Sequence, residues 1–151
     1  MTYDLFLGDQ TFSSWSMRGW LMFVKFGLPV NVHMVGLYDG TMADDLADLV
    51  PARFVPVMRT PEGIVVGDTL AMAETLAERH PDAGLWPDDT AARGLARWMV
   101  AEMHSGFGAL RGACPMQLLH QYRDFPVTRE VQADLARIET LWSLAQERSG
   151  G

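Results

Sequence analysis

Three hydroxyl side chains, Ser13, Ser14 and Ser16, fall within four positions of the stretch FSSWSMRGWL, where a short apolar run gives way to helical spacing. Serine is a favoured helix N-cap, so one of the three has a structural task in satisfying an otherwise orphaned backbone N–H. A hydroxyl at a helix N-terminus also has a chemical capacity: together with the positive end of the helix dipole it can hold an anion, a thiolate among them. Asp68 and Thr69 repeat the theme ahead of the helical run LAMAETLAERH. Either residue suits the cap, and the helix start offers N–H groups to a carboxylate.

Other reactive side chains point to little chemistry. Cys114 stands alone, which rules out an internal disulfide and a Cys-x-x-Cys redox pair. The histidines at 33, 80, 104 and 120 lack the three- or four-residue spacing that puts two ligands on one helix face, so no metal site is expected. The formal net charge of −7 repels phosphate backbones and anionic membranes, so neither nucleic acid nor a membrane is an expected partner. No apolar run reaches about 18 residues and Asp4 interrupts the N-terminus, which predicts a cytoplasmic protein.

The elements that must position these residues change character along the chain. Tyr3 to Leu7 is a strand candidate, and 14–27 is a helix stopped by Gly27. Val30 to Val35 alternates as a half-buried strand does, and TMADDLADLV is a short helix ended by Pro51. VPVMR and GIVVG, separated by TPE, predict a hairpin, and a helix follows it. The order is βαβα, then ββα. HPDAGLWPDD has the composition of a linker, and beyond it only helical periodicity appears, over 90–111 and 127–147. The expected organisation is therefore an α/β domain at 1–80, a linker at 81–89 and an all-α domain at 90–151. Gly106 and Gly108 weaken the first of the late helices, which predicts a bend or a close approach there.

Taken together, these motifs resemble the glutathione S-transferase superfamily. SSWSMR is similar to the Ser-Ser-Cys-Ser-x-Arg run of its zeta class, the maleylacetoacetate isomerases, with Trp15 where that class has cysteine. RFVPVM resembles the family's Val-Pro before the hairpin, and GDTLAMAETLAERHP the acidic residue plus Ser/Thr that opens its third helix. LWPDDTAARGLARWMVAEMHSGFGALR is similar to the linker and fourth helix of bacterial members.

The resemblance implies a thioredoxin-like glutathione-binding domain followed by a helical domain shorter than the family's. It implies glutathione as co-substrate, bound by Asp68 at its ammonium group, by Thr69 at its γ-glutamyl carboxylate, and by the Val55 main chain at its cysteinyl unit. The Val55–Pro56 bond is expected to be cis, and Arg53 to reach the glycine carboxylate. Ser13 matches the serine that activates the thiol in the zeta class, Ser14 is the alternative donor, and Ser16 is expected to be a first-turn helix residue. Trp15, Met103, His104, Phe107 and Arg111 are expected to wall a second-substrate pocket. Trp98, Ile138 and Trp142 are expected to be left partly uncovered, an apolar patch that favours a homodimer. The implied function is attack of a serine-assisted glutathione thiolate on small electrophiles, with isomerase or peroxidase activity as variants. The alternative is a non-catalytic module of the same fold that binds a protein partner.

Overall fold

The computed structural model describes residues 1–149, which form two compact units that divide at Leu85 and Trp86. The first unit runs β1 (Tyr3–Leu7), α1 (Ser14–Phe26), β2 (Val30–Met34), α2 (Met42–Asp45), β3 (Val57–Arg59), β4 (Val65–Val66) and α3 (Thr69–Arg79). The strands lie in the order β2-β1-β3-β4, with β1 parallel to β2 and antiparallel to β3, and β3 antiparallel to β4. This mixed four-stranded sheet with its helices is a thioredoxin-like domain, and a helical region follows it, as the motif order predicts.

Alternation along β1 builds the core. Tyr3, Leu5 and Leu7 are buried with Phe23 of α1, Met58 of β3, and Met72 and Leu76 of α3. On the other side of the sheet Val35, Leu46, Leu49 and Val57 form a second cluster. Tyr3 also fastens β1 to the end of α3: its hydroxyl accepts from Arg79 Nε at 3.0 Å and lies 2.8 Å from His80 Nε2. Two expectations need correction. The 41–50 helix is broken into α2 and a 3₁₀ turn at Ala47–Leu49. β2 is far more exposed than its alternation predicts, with Val32 and Met34 open to solvent. Strand β2 is an edge strand, and alternation in sequence does not reveal whether a helix covers the edge.

Beside the second cluster, Asp4 is held by three neighbours. Its carboxylate accepts from His33 Nε2 at 3.0 Å, from Arg59 at 2.8 and 3.2 Å, and from Asn31 Nδ2 at 3.2 Å. The His33 bond, then the Arg59 bonds, lower its pKa from the ordinary 3.8 to about 2. A depressed carboxylate stabilises the fold fully above its unfolded pKa and loses that contribution as pH falls through the folded value. The window is therefore about pH 4 down to about pH 2. Because the partners are partly exposed, the contribution is about 1 kcal/mol. Asp4→Asn is expected to cost that amount at neutral pH and to flatten the acid limb across this window, measured by urea unfolding against pH.

The second unit holds α4 (Thr90–Ser105), α5 (Gly108–Ala113) and α6 (Arg129–Ser149). The helix expected over 90–111 is thus two. The chain turns at Gly106, where a Cβ would lie 2.8 Å from the Glu102 carbonyl oxygen, and Phe107 follows with φ of 59°. Side chains then tie the helices together. The Asp134 carboxylate accepts from the Leu110 N–H at 2.9 Å, and Arg137 donates twice to Glu102 at 2.6 and 2.9 Å. Trp98 and Trp142 are largely exposed and Ile138 is half-buried.

Candidate functional site

The approach to α1 is a tightly hydrogen-bonded turn. The Asp9 carboxylate accepts from the N–H and hydroxyl of Thr11 and from the N–H of Phe12, while the Asp9 carbonyl accepts from the Ser13 N–H at 3.0 Å. The Thr11 bonds in particular hold the Asp9 carboxyl below the ordinary carboxylate range. Ser13 is thereby delivered to the N-cap of α1, where its Oγ accepts from the Ser16 N–H at 3.2 Å. Ser14 is the first helical residue and is half-buried.

Ser16 is more than a first-turn residue. It is buried, its Oγ accepts from the Gly8 N–H at 2.9 Å, and the same Oγ lies 2.8 Å from Ser13 Oγ. The end of β1 and the start of α1 are joined through this one atom. Sequence reasoning passed over Gly8 and Gly19 altogether. A Cβ at Gly8 would lie 3.0 Å from Val55 Cγ2 and 3.5 Å from Ser16 Oγ. A Cβ at Gly19 would lie 3.0 Å from both Cβ and Cγ of Pro56. Two bare backbone positions therefore let the serine turn and α1 close against Val55 and Pro56. The sign of this in the sequence is a glycine inside a helical pattern, which costs about 1 kcal/mol against alanine unless packing needs it.

The peptide bonds Val50–Pro51 and Val55–Pro56 are both cis. Asp68 is the N-cap of α3, its carboxylate accepting from the N–H groups of Leu70 and Ala71 at 2.9 Å each. That cap does not use the N–H of Thr69, the first residue of the helix, and the Thr69 side chain is nearly buried. Arg53 is exposed and lines an open cleft of about 460 Å³ whose other walls include Leu37, Met42, Leu46, Val50 and Ala52. Ser13, Ser14, Arg53, Val55, Pro56, Asp68 and Thr69 all belong to the first unit.

The residues expected in a second-substrate pocket divide between the units. Trp15 is half-buried in the first, with the Arg18 guanidinium 4.1 Å from its ring centroid. In the second, Met103, His104 and Arg111 are half-buried and Phe107 is buried. Cys114 is exposed. Among the described residues no three His, Cys, Asp or Glu side chains gather as metal ligands, and no helix is long and apolar enough to cross a membrane.

The mixed four-stranded sheet, with a serine-capped α1 packed against Pro56, is that of a thioredoxin-like domain. Residues 12–79 match the glutathione S-transferase N-terminal domain. The chain is 27% identical over 110 residues to maleylacetoacetate isomerase of Dictyostelium discoideum, covering 72% of this chain and 50% of that protein. It is 36% identical over 76 residues to a probable maleylacetoacetate isomerase of Caenorhabditis elegans, covering 50% of this chain and 35% of that one. Among solved structures it is similar to a glutathione transferase homologue from Burkholderia gl BGR1 with bound glutathione, at 25% identity and a TM-score of 0.61, covering 75% of this chain and 59% of that one. The match over residues 12–79 and the two maleylacetoacetate isomerase relatives together support the glutathione S-transferase superfamily, with a zeta-like resemblance. The chain spans between about a third and a half of the length of the two curated relatives.

Proposed function

We propose that this protein binds glutathione in its first unit and activates the thiol as a thiolate with the Ser13 hydroxyl, for attack on small hydrophobic electrophiles. The observation that carries this reading is the hydrogen-bond chain Ser13–Ser16–Gly8, which lies so near Val55 that a Cβ at Gly8 would sit 3.0 Å from Val55 Cγ2. It supports Ser13 over Ser14, since no such link runs from Ser14 among the described residues. In this reading Thr69 and the start of α3 take the γ-glutamyl carboxylate, Asp68 faces the ammonium group and Arg53 the glycine carboxylate. The Val55 main chain pairs with the cysteinyl unit.

A free thiol has a pKa near about 8.5, so lowering it by about two units requires roughly 2.7 kcal/mol of preference for the thiolate. A hydrogen bond to a charged group contributes about 1.5–3 kcal/mol and the helix dipole about 0.3–1 kcal/mol, so the two together suffice. The chemistry needs no metal. Trp15 and Arg18 stand at the first turn of α1 as an aromatic wall and a cation for the electrophile. Isomerisation by the same thiolate is a close variant, and the relatives named as maleylacetoacetate isomerases support it. The setting proposed is a cytoplasmic homodimer.

Glutathione at a hundredfold excess over its Kd is expected to stabilise the fold by roughly 2.7 kcal/mol, which raises Tm by about 5–10 °C. Thr69→Ala is expected to weaken binding roughly fivefold, about 1 kcal/mol for one hydrogen bond. Thermal unfolding against glutathione concentration checks both, and a wild-type Tm that glutathione leaves unmoved removes the reading. The largely exposed Trp98 and Trp142 favour a second reading, a non-catalytic module that binds a protein partner. Glutathione affinity without turnover is its signature.

A further inference from the structure

We propose that Ser16 is a positioning residue for the thiolate, a buried relay that turns the Ser13 hydroxyl proton outward when an anion binds. The inference rests on the reading of Ser13 as the donor to glutathione.

The hydrogen bonds around Ser16 admit two proton arrangements. As the structure stands, Ser16 Oγ accepts from the Gly8 N–H at 2.9 Å and from the Ser13 hydroxyl at 2.8 Å. Both bonds go into the oxygen, and among the described residues no acceptor faces the hydroxyl proton of Ser16 itself. For a residue only 2% exposed, that is an unfavourable way to bury a hydroxyl. In the second arrangement Ser16 still accepts from Gly8 but donates to Ser13 Oγ. Ser13 then accepts twice, from the Ser16 hydroxyl and from the Ser16 N–H at 3.2 Å, and its own proton is released. That proton needs an acceptor outside the pair, and a thiolate supplies one.

The backbone sets the direction. The N–H groups of Gly8 and Ser16 cannot reverse, so both push the chain the same way: Gly8 N–H to Ser16, Ser16 to Ser13, Ser13 to sulfur. Each donor in such a chain polarises the next. The covalent change is the loss of the thiol proton to water. The two hydroxyls only rotate, and no proton passes between them. A structural cap would need Ser13 alone, whereas the relay needs the Ser16 hydroxyl although it lies one bond behind the thiolate's partner.

The test is an ultraviolet difference titration of bound glutathione, referenced to the S-methylglutathione complex, in wild type, Ser13→Ala, Ser16→Ala and the double variant. Ser16→Cys is a near-isosteric variant with a weak donor in place of the hydroxyl, and the reference cancels its own absorbance. The relay predicts that Ser16→Ala and Ser16→Cys each raise the thiol pKa by about one unit, from about 6.5 to about 7.5, a roughly threefold loss of thiolate at neutral pH, and that Ser16→Ala adds nothing once Ser13 is alanine. If Ser13→Ala raises the pKa while neither Ser16 variant does, or if Ser16→Ala adds the same shift in both backgrounds, the relay is wrong and the functional reading stands. If wild type binds no glutathione, or its bound thiol titrates as in water, both fall together.

Discussion

Ser13→Ala is expected to raise the pKa of the bound glutathione thiol by about two units, from about 6.5 toward about 8.5, and to lower turnover at neutral pH by roughly 25-fold as the thiolate fraction falls. Glutathione affinity should stay within a few-fold, because the contacts assigned to Thr69, Asp68 and the Val55 main chain are untouched. Turnover should recover as pH rises through the new pKa, since the variant lacks thiolate rather than binding. The fold should lose about 1 kcal/mol, as Ser13 is also the N-cap of α1. Ser14→Ala removes a first-turn hydroxyl with no part in the cap, so its titration and pH–rate profile should match the wild type. A shifted titration in Ser14→Ala with none in Ser13→Ala would exchange the two roles. Activity that falls equally at every pH in Ser13→Ala would mean that the serine orders the turn without stabilising the anion.

The two serines show what the sequence carried and what it withheld. A run of capping residues ahead of a helical pattern announces a helix N-terminus, and Ser13 and Asp68 both become side-chain N-caps. The order of elements in the first unit was legible for the same local reasons: the apolar alternation of Tyr3 to Leu7, the stop at Gly27, the turn between Val57–Arg59 and Val65–Val66. What could not be read was tertiary. Ser16 differs from Ser14 because it faces Gly8 across the turn, and nothing in SSWSMR distinguishes an inward serine from an outward one. Cover for β2 depends on which helices pack over the edge, and the break at Gly106 depends on how near the chain passes the Glu102 carbonyl. The candidate site residues rest on motifs that specify backbone geometry. Those overlooked, Gly8 and Gly19, act by what they lack.

Gly19→Val tests whether that absence positions the site. Gly19 is buried in the second turn of α1, and its missing Cβ would sit 3.0 Å from two carbons of the Pro56 ring. A proline ring has no rotamer to escape into, so either α1 or the Val55–Pro56 turn must move, by more for valine with its two γ-methyls than for alanine. Overpacking of this kind costs about 1–3 kcal/mol, against less than about 1 kcal/mol gained from better helix propensity. Gly19→Ala should therefore be mildly destabilising, by about 1 kcal/mol, and Gly19→Val should lower Tm by several degrees more. The larger effect is expected in binding: moving Val55 away from the serine turn separates the cysteinyl contact from the thiolate donor, so glutathione affinity should fall at least about tenfold. Met72→Ala supplies the comparison, since it opens a cavity in the core of the same unit and should cost about 2–5 kcal/mol while the folded fraction binds glutathione as the wild type does. Unfolding curves and calorimetric titrations of the three variants decide the matter: if Gly19→Val loses stability but keeps its affinity, the α1–Pro56 contact is core packing alone, and the site is positioned from elsewhere.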